Sequence, residues 1–339
     1  MNFQQRIDAF VKLGQFFEQS ITVADHPVFY KAYTQNPWFT IHHIKQSVQA
    51  WADNLRSSKL NEWLETYTIP EPRPKTIAII MAGNIPLVGF HDLLCVLVTG
   101  NKALVKVSVD DSTLMKWVIT ELIQIEPGFS SLIEISENRL PQGFDAVIAT
   151  GSNNSNRYFE YYFREKHSLL RGNRNSVAVL TGNETPEDIH KLGGDIFTYF
   201  GLGCRNVSKI YVPKDYDITQ FLDGIESHND VINHHKYANN YTYHKAILLM
   251  NLTPHLDNNF LLLKEDERIA SPLGMLYYER YDSIETLMET FKQKQSEIQC
   301  IVSKSVFPGA IPLGKAQQPE LKDYADGVDT LAFLLELAG

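Results

Sequence analysis

Cysteine is scarce: the chain has three in 339 residues. They are too few for a disulfide framework, and none shows the C-x-x-C spacing of a zinc site. A reducing compartment, the cytoplasm, is therefore expected. Positive charge is also short. Thirty-one Lys and Arg stand against forty Asp and Glu, a net charge of −9, and no long basic run occurs, which argues against a nucleic-acid partner. The most apolar stretch, Pro86 to Thr99, is interrupted by His91 and Asp92 and is too short to span a bilayer. The start, MNFQQRIDAFVKLGQFF, lacks the continuous apolar core of a signal peptide, so neither a leader nor a membrane span is expected. No repeat or low-complexity segment is evident.

What remains is the composition of an ordinary globular protein, 44% hydrophobic and 21% charged, and long enough for two domains. Phe3, Ile7, Phe10 and Phe17 recur at helical spacing and predict an amphipathic helix at the start. From Thr76 onward, short apolar runs alternate with helical segments. TIAIIMAG, KALVKVS, SLIEIS, FDAVIATGS and NSVAVLTG read as strands, and Pro86–Thr99, Ser112–Glu126 and Ser155–Lys166 as helices. Such alternation predicts a parallel, doubly wound sheet, whose ligands lie outside the carboxyl ends of its strands.

A second block begins near Thr185. Thr185 is the expected N-cap of a helix with Pro186 at its first position, and Gly201 is its expected stop. VSKIYVP, KAILLMN, GMLYYERY and IQCIVS are expected strands, and Lys264–Pro272 a loop. Cys204 falls in the turn between helix and strand, flanked by Gly203 and Arg205. Cys95 and Cys300 sit in apolar runs and read as small core residues.

Four short stretches offer chemistry. Asn84 in AGNIPL stands on a strand-to-helix turn, where its amide suits a developing oxyanion. Lys106 and Ser108 end the strand LVKVS. Thr150, Gly151 and Ser152 open a Gly/Ser/Asn turn whose amides suit an anion before a helix. Cys204 is the candidate nucleophile. Taken singly, Asn84 reads better as a turn residue and Lys106 as a solvated strand end, the Ser/Asn turn at least as well as a simple loop, and Cys204 equally well as structural. His228, His234, His235 and His244 cluster in sequence but match no metal-ligand spacing, so no metal is expected.

In series the four resemble the aldehyde dehydrogenase superfamily, whose members carry N-F-P-L, L-K-P-S, F-T-G-S and G-Q-x-C stretches in this order. The matches are Asn84 to Leu87, Val105 to Ser108, Ala149 to Ser152 and Gly201 to Cys204. The C-terminal stretch IPLGKAQQPELKDYADGVDTLAFLLEL is similar to the acyl-CoA reductases related to the fatty acid reductase of bacterial bioluminescence (LuxC-like). The resemblance implies an α/β, aldehyde dehydrogenase-like fold: a doubly wound nucleotide-binding domain plus an α/β catalytic domain. On this reading residues 1–184 hold N-terminal helices and the nucleotide-binding domain. Residues 185–300 form the catalytic domain, and 301–339 a return segment packing on the first domain or used in oligomerisation.

The implied activity is reduction of an acyl-CoA to the aldehyde by NADPH, with NADH the alternative, through a Cys204 thioester. Asn84 would stabilise the oxyanion; Lys106, Ser108, Thr150, Gly151 and Ser152 would bind the cofactor. Coenzyme A enters as part of the substrate, and a homo-oligomer is implied. Rival readings are a reductase fed by an acyl phosphate or a partner acyltransferase, and a catalytically silent nucleotide-binding member. Three positions depart from the pattern. Leu170 stands where aldehyde-oxidising relatives place a glutamate, and Arg268, beside Glu267, where they place a ribose-binding acid. Val109 replaces the glutamate that follows L-K-P-S in NAD-preferring relatives.

Overall fold

The computed structural model describes residues 1–69, 74–136, 142–304 and 307–337. The chain divides into two compact units, Met1–Asn173 with Glu320–Gly339, and Arg174–Pro319.

The first unit opens with helices α1 (Phe3–Thr22), α2 (Pro27–Gln35), α3 (Ile41–Asn54) and α4 (Ser57–Leu64). There follow β1 (Thr76–Ile80), α5 (Phe90–Val98), β2 (Lys102–Lys106), α6 (Ser112–Ile125), β3 (Ile133–Ile135), β4 (Ala146–Thr150), α7 (Asn153–Phe163) and β5 (His167–Arg171). The strands pair in parallel in the order β3-β2-β1-β4-β5. The reason β1 and β4 read as unbroken apolar runs is that both faces are covered. Ile77, Ile79, Ala146 and Ile148 point into the core shared with the N-terminal helices, α5 and α6, where Ile7, Phe10 and Phe17 of the expected first helix also lie. Their alternates Ala78, Ile80, Val147 and Ala149 pack with Phe163 of α7 on the other face.

The second unit runs β6 (Asn175–Val179), α8 (Pro186–Phe197), β7 (Val207–Pro213), α9 (Ile218–Gly224), α10 (His235–Met250), β8 (Leu256–Asp257), β9 (Leu262–Glu265), β10 (Met275–Tyr281), α11 (Ile284–Gln293) and β11 (Ile298–Ser303). Its sheet order is β11-β6-β7-β10-β9-β8, parallel except where β8 meets β9. The chain then returns to the first unit with α12 (Thr330–Glu336).

Three expectations are corrected. KAILLMN is not a strand but the end of α10: Leu248 is buried while Leu249 and Met250 face outward. Lys, Ala, Leu and Met are strong helix formers, so the apolar run continues the helix that precedes it. The helix expected from Pro86 begins only at Phe90, because Leu87 takes a left-handed conformation (φ 57°) that no helix accommodates. The Thr185-capped helix stops at Phe197 rather than Gly201. Its capping box with Asp188 is present, but Tyr199, Phe200 and Gly201 all have positive φ.

Candidate functional site

Asn84, Lys106, Ser108 and Thr150–Ser152 gather at one edge of the first unit. Asn84 lies in the loop after β1, Lys106 ends β2, and Thr150 ends β4, the strands flanking β1 on either side. Between β1 and β4 the strand order reverses direction. That switch point is where doubly wound sheets open a crevice at the carboxyl ends of their strands. Ser152 N-caps α7, its Oγ accepting from the Ser155 N–H at 3.2 Å, so Gly151 and Ser152 lead into a helix N-terminus. Asn84 and Ser152 are exposed; Lys106, Ser108, Thr150 and Gly151 are half-buried.

The loop carrying Asn84 is fixed from behind. The Leu87 N–H donates to Asp111 Oδ2 at 2.8 Å, and Ser47 Oγ donates to the Pro86 carbonyl at 2.8 Å. Burial pushes the Asp111 carboxyl well above the usual carboxylate range, against the opposing bond from Leu87. These supports, from positions 24 and 39 residues away, carry no local signal. Nor does the buried Arg171, whose Nη1 meets both Asp92 carboxylate oxygens at 2.8 Å and whose Nη2 donates to Thr330 Oγ1 at 2.8 Å.

In the second unit Cys204 is half-buried in the turn between α8 and β7. Three successive left-handed residues carry the chain from the helix into this turn, two of them non-glycine, a conformation that persists only where its surroundings hold it. The holder is Asn206, 2% exposed. Its Oδ1 accepts from the Gly203 N–H at 2.8 Å. Its Nδ2 faces the carbonyls of Asp195, Ile196 and Thr198 at 3.1, 3.2 and 2.8 Å. The same amide thus ends the helix and fixes the residue before the cysteine. By donating to the terminal carbonyls it also offsets the negative helix end that would oppose a thiolate in the turn. Ser176 Oγ donates to the Cys204 carbonyl at 3.0 Å.

The two basic residues near the thiol in sequence part ways. Arg205 stays in the turn, its Nε donating to the Ala316 carbonyl at 2.6 Å. Lys209 is buried in β7 and salt-bridged to Glu279, its ammonium 4.7 Å from the Tyr211 ring centre; burial lowers its pKa against that partner's pull. It is committed to structure.

Cys95 is wholly buried, and burial pushes its thiol well up, as befits the core residue expected. Cys300 departs from that expectation. It is half-buried on β11, with its sulfur 2.9 Å from the Ser176 hydroxyl. Leu170 packs against the apolar cluster around Phe163. Arg268 is held by Asp266 through Nε and Nη2 at 2.8 and 2.6 Å. His228 stacks on His190 and Phe197, and His234 packs against Phe200. Among the described residues no cluster of three or more His, Cys, Asp or Glu is arranged to hold a metal ion. No described helix is long and apolar enough to cross a membrane.

The acyl-CoA reductase (LuxC) family pattern matches residues 41–221, more than half the chain and including Asn84, Lys106, Thr150 and Cys204. The chain belongs to the acyl-CoA reductase (LuxC) family. A long-chain acyl-protein thioester reductase of Aliivibrio fischeri is 23% identical over 191 residues, 50% of this chain and 39% of that relative. The chain therefore spans well under half the length of this curated relative. Among solved structures, an aldehyde dehydrogenase of Bacillus cereus in complex with NAD+ superposes with TM-score 0.62 at 14% identity, over 85% of this chain and 69% of that one. Aldehyde dehydrogenase 21 of Physcomitrella patens superposes with TM-score 0.68 at 12% identity, over 100% of this chain and 85% of its own. This LuxC-family chain accordingly has the aldehyde dehydrogenase fold.

Proposed function

We propose that this reductase converts a fatty acyl thioester to the aldehyde through an acyl-cysteine at Cys204, with NADPH as reductant. The observation that carries the reading is the Cys204 turn: a half-buried thiol between Gly203 and Arg205, held by Asn206, at the nucleophile position of the family motif. The thiolate attacks the acyl carbonyl, a new carbon–sulfur bond forms, and coenzyme A leaves as its thiol after taking a proton. The Asn84 amide is the proposed donor to the carbonyl oxygen as it gains charge.

The residues of the first unit fit a nicotinamide dinucleotide. Lys106 offers a cation at a strand end, Gly151 and Ser152 a helix N-terminus for phosphate, and Gly83 a close approach of backbone to Ser108. When bound, that cofactor supplies the hydride that turns the acyl-cysteine into aldehyde and frees the thiolate. A second reading concerns the donor only. The name of the Aliivibrio fischeri relative supports an acyl group delivered on a protein thioester instead of coenzyme A.

The test is NADPH consumption with acyl-CoAs of increasing chain length, alongside labelling with a radioactive acyl-CoA. Cys204→Ala should abolish turnover and label while NADPH binding stays nearly intact. Label on Cys95 or Cys300 instead would sink the assignment.

A further inference from the structure

Both neighbours of Cys204 are tied back to one buried residue. On one side Gly203 is held by the Asn206 side chain, which donates to the Asp195 carbonyl. On the other, Arg205 donates to the Ala316 carbonyl, and the Ala316 N–H donates at 2.9 Å to Asp195 Oδ1. The second carboxylate oxygen accepts from the Gly314 N–H at 2.6 Å. Asp195, 1% exposed on α8, thus links by hydrogen bonds to both chain neighbours of Cys204, using its backbone for one arm and its carboxylate for the other.

We propose that Asp195 is a positioning residue for Cys204: it seats the segment around Gly314 and Ala316 so that Arg205, the residue after the cysteine, is tethered there. The inference rests on the reading of Cys204 as nucleophile. A carboxylate is suited to this place because each of its two oxygens accepts from a different backbone N–H, whereas an amide side chain would turn its NH2 donor toward one of them. Burial raises its pKa to about 6 despite those bonds and the nearby Arg205 charge, a cost that a purely packing position would not carry. A small displacement of a nucleophile is enough to matter, since misplacement by about 1 Å is worth on the order of 10²-fold in rate.

The test uses Asp195→Asn in the full chain, with circular dichroism and thermal midpoint to verify folding. Acylation of Cys204 should slow roughly 10- to 100-fold, with KM for NADPH unchanged. The pH profile of Cys204 alkylation by iodoacetamide should shift. Wild-type acylation and an unchanged alkylation profile in the folded variant would overturn the proposal. A second pair of variants keeps it open to refutation if Asp195→Asn does not fold. Arg205→Gln retains a donor able to reach the Ala316 carbonyl and should keep most of the acylation rate; Arg205→Met should lose it. Equal losses in both would mean that the guanidinium charge acts rather than the tether. Failure of the underlying reading is distinguishable: wild-type Cys204 would then take no acyl label, while the alkylation profiles would still report on the tether.

Discussion

Gly83 and Ser108 approach so closely that a Cβ on the glycine would stand 2.4 Å from the serine Oγ and 2.5 Å from its Cβ. The contact joins the loop after β1 to the end of β2, where Asn84 and Lys106 lie. Rotating the serine cannot relieve it, because Ser108 Cβ is fixed to its own backbone. Gly83→Ala should therefore cost about 1–3 kcal/mol of stability, the usual penalty for overpacking. Adding Ser108→Gly should return most of it. Urea unfolding of the single and double variants checks this, and additive losses would show that the contact is not the cause.

On the proposed reading, cofactor preference should follow from the residues after β2. Val109 is 80% exposed where NAD-preferring relatives have a glutamate, and Asp111 turns inward to Leu87, leaving Asp110 as the exposed acid nearby. Removing a like-charge clash and adding a bond from Lys106 is worth on the order of 2 kcal/mol, tens-fold in affinity for a 2′-phosphate. NADPH should have the higher kcat/KM, and Lys106→Ala should narrow the gap. Equal or better kcat/KM with NADH would refute it.

The acyl-enzyme should resist hydrolysis. Leu170 packs into an apolar cluster and cannot activate water, a contribution of roughly 10²–10⁴-fold when a general base is in place. Enzyme acylated with a labelled acyl-CoA and freed of ligand should keep its label until NADPH is added. Release of fatty acid as fast as aldehyde formation contradicts this.

The Asp92–Arg171 pair, with both side chains buried, should be costly to break and cheap to replace. Asp92→Ala leaves the guanidinium without its carboxylate and should lose about 3–5 kcal/mol. The Asp92→Leu, Arg171→Met double variant should recover much of that, as measured by chemical denaturation. A double variant no more stable than Asp92→Ala would count against the assignment.

Asp195 sets a pH dependence of stability. Its folded pKa is raised by burial to about 6 from 3.8, so the native state keeps a proton that the unfolded chain releases. That contribution is full below about pH 4 and is lost as pH rises through about 6. The loss by pH 7 amounts to about 3 kcal/mol. Arg205 is the charged group facing it, and the Gly314 and Ala316 amides are the polar ones. Asp195→Asn should remove this slope between pH 4 and 7, read by thermal unfolding at each pH. An unchanged slope would mean that the carboxyl is ionised throughout.

The amino-acid sequence by itself determined the alternation of strands and helices, because β1 and β4 must be apolar on both faces and α8 carries its own capping box. It also placed Asn84, Lys106, Thr150 and Cys204 at element ends, since turn residues and periodicity are local signals. Only the tertiary structure decided what holds those residues. Asp111 behind Leu87, Asn206 across the end of α8, and Asp195 reaching Gly314 are bonds between groups that periodicity does not relate. The same limit explains KAILLMN. An apolar run states that something is buried, but whether it continues a helix or starts a strand depends on which of its residues find a partner surface. For Lys209 too, the charge was legible and the partner, Glu279 on a neighbouring strand, was not. Long-range pairing carries no local signature, because it is set by the packing of whole elements.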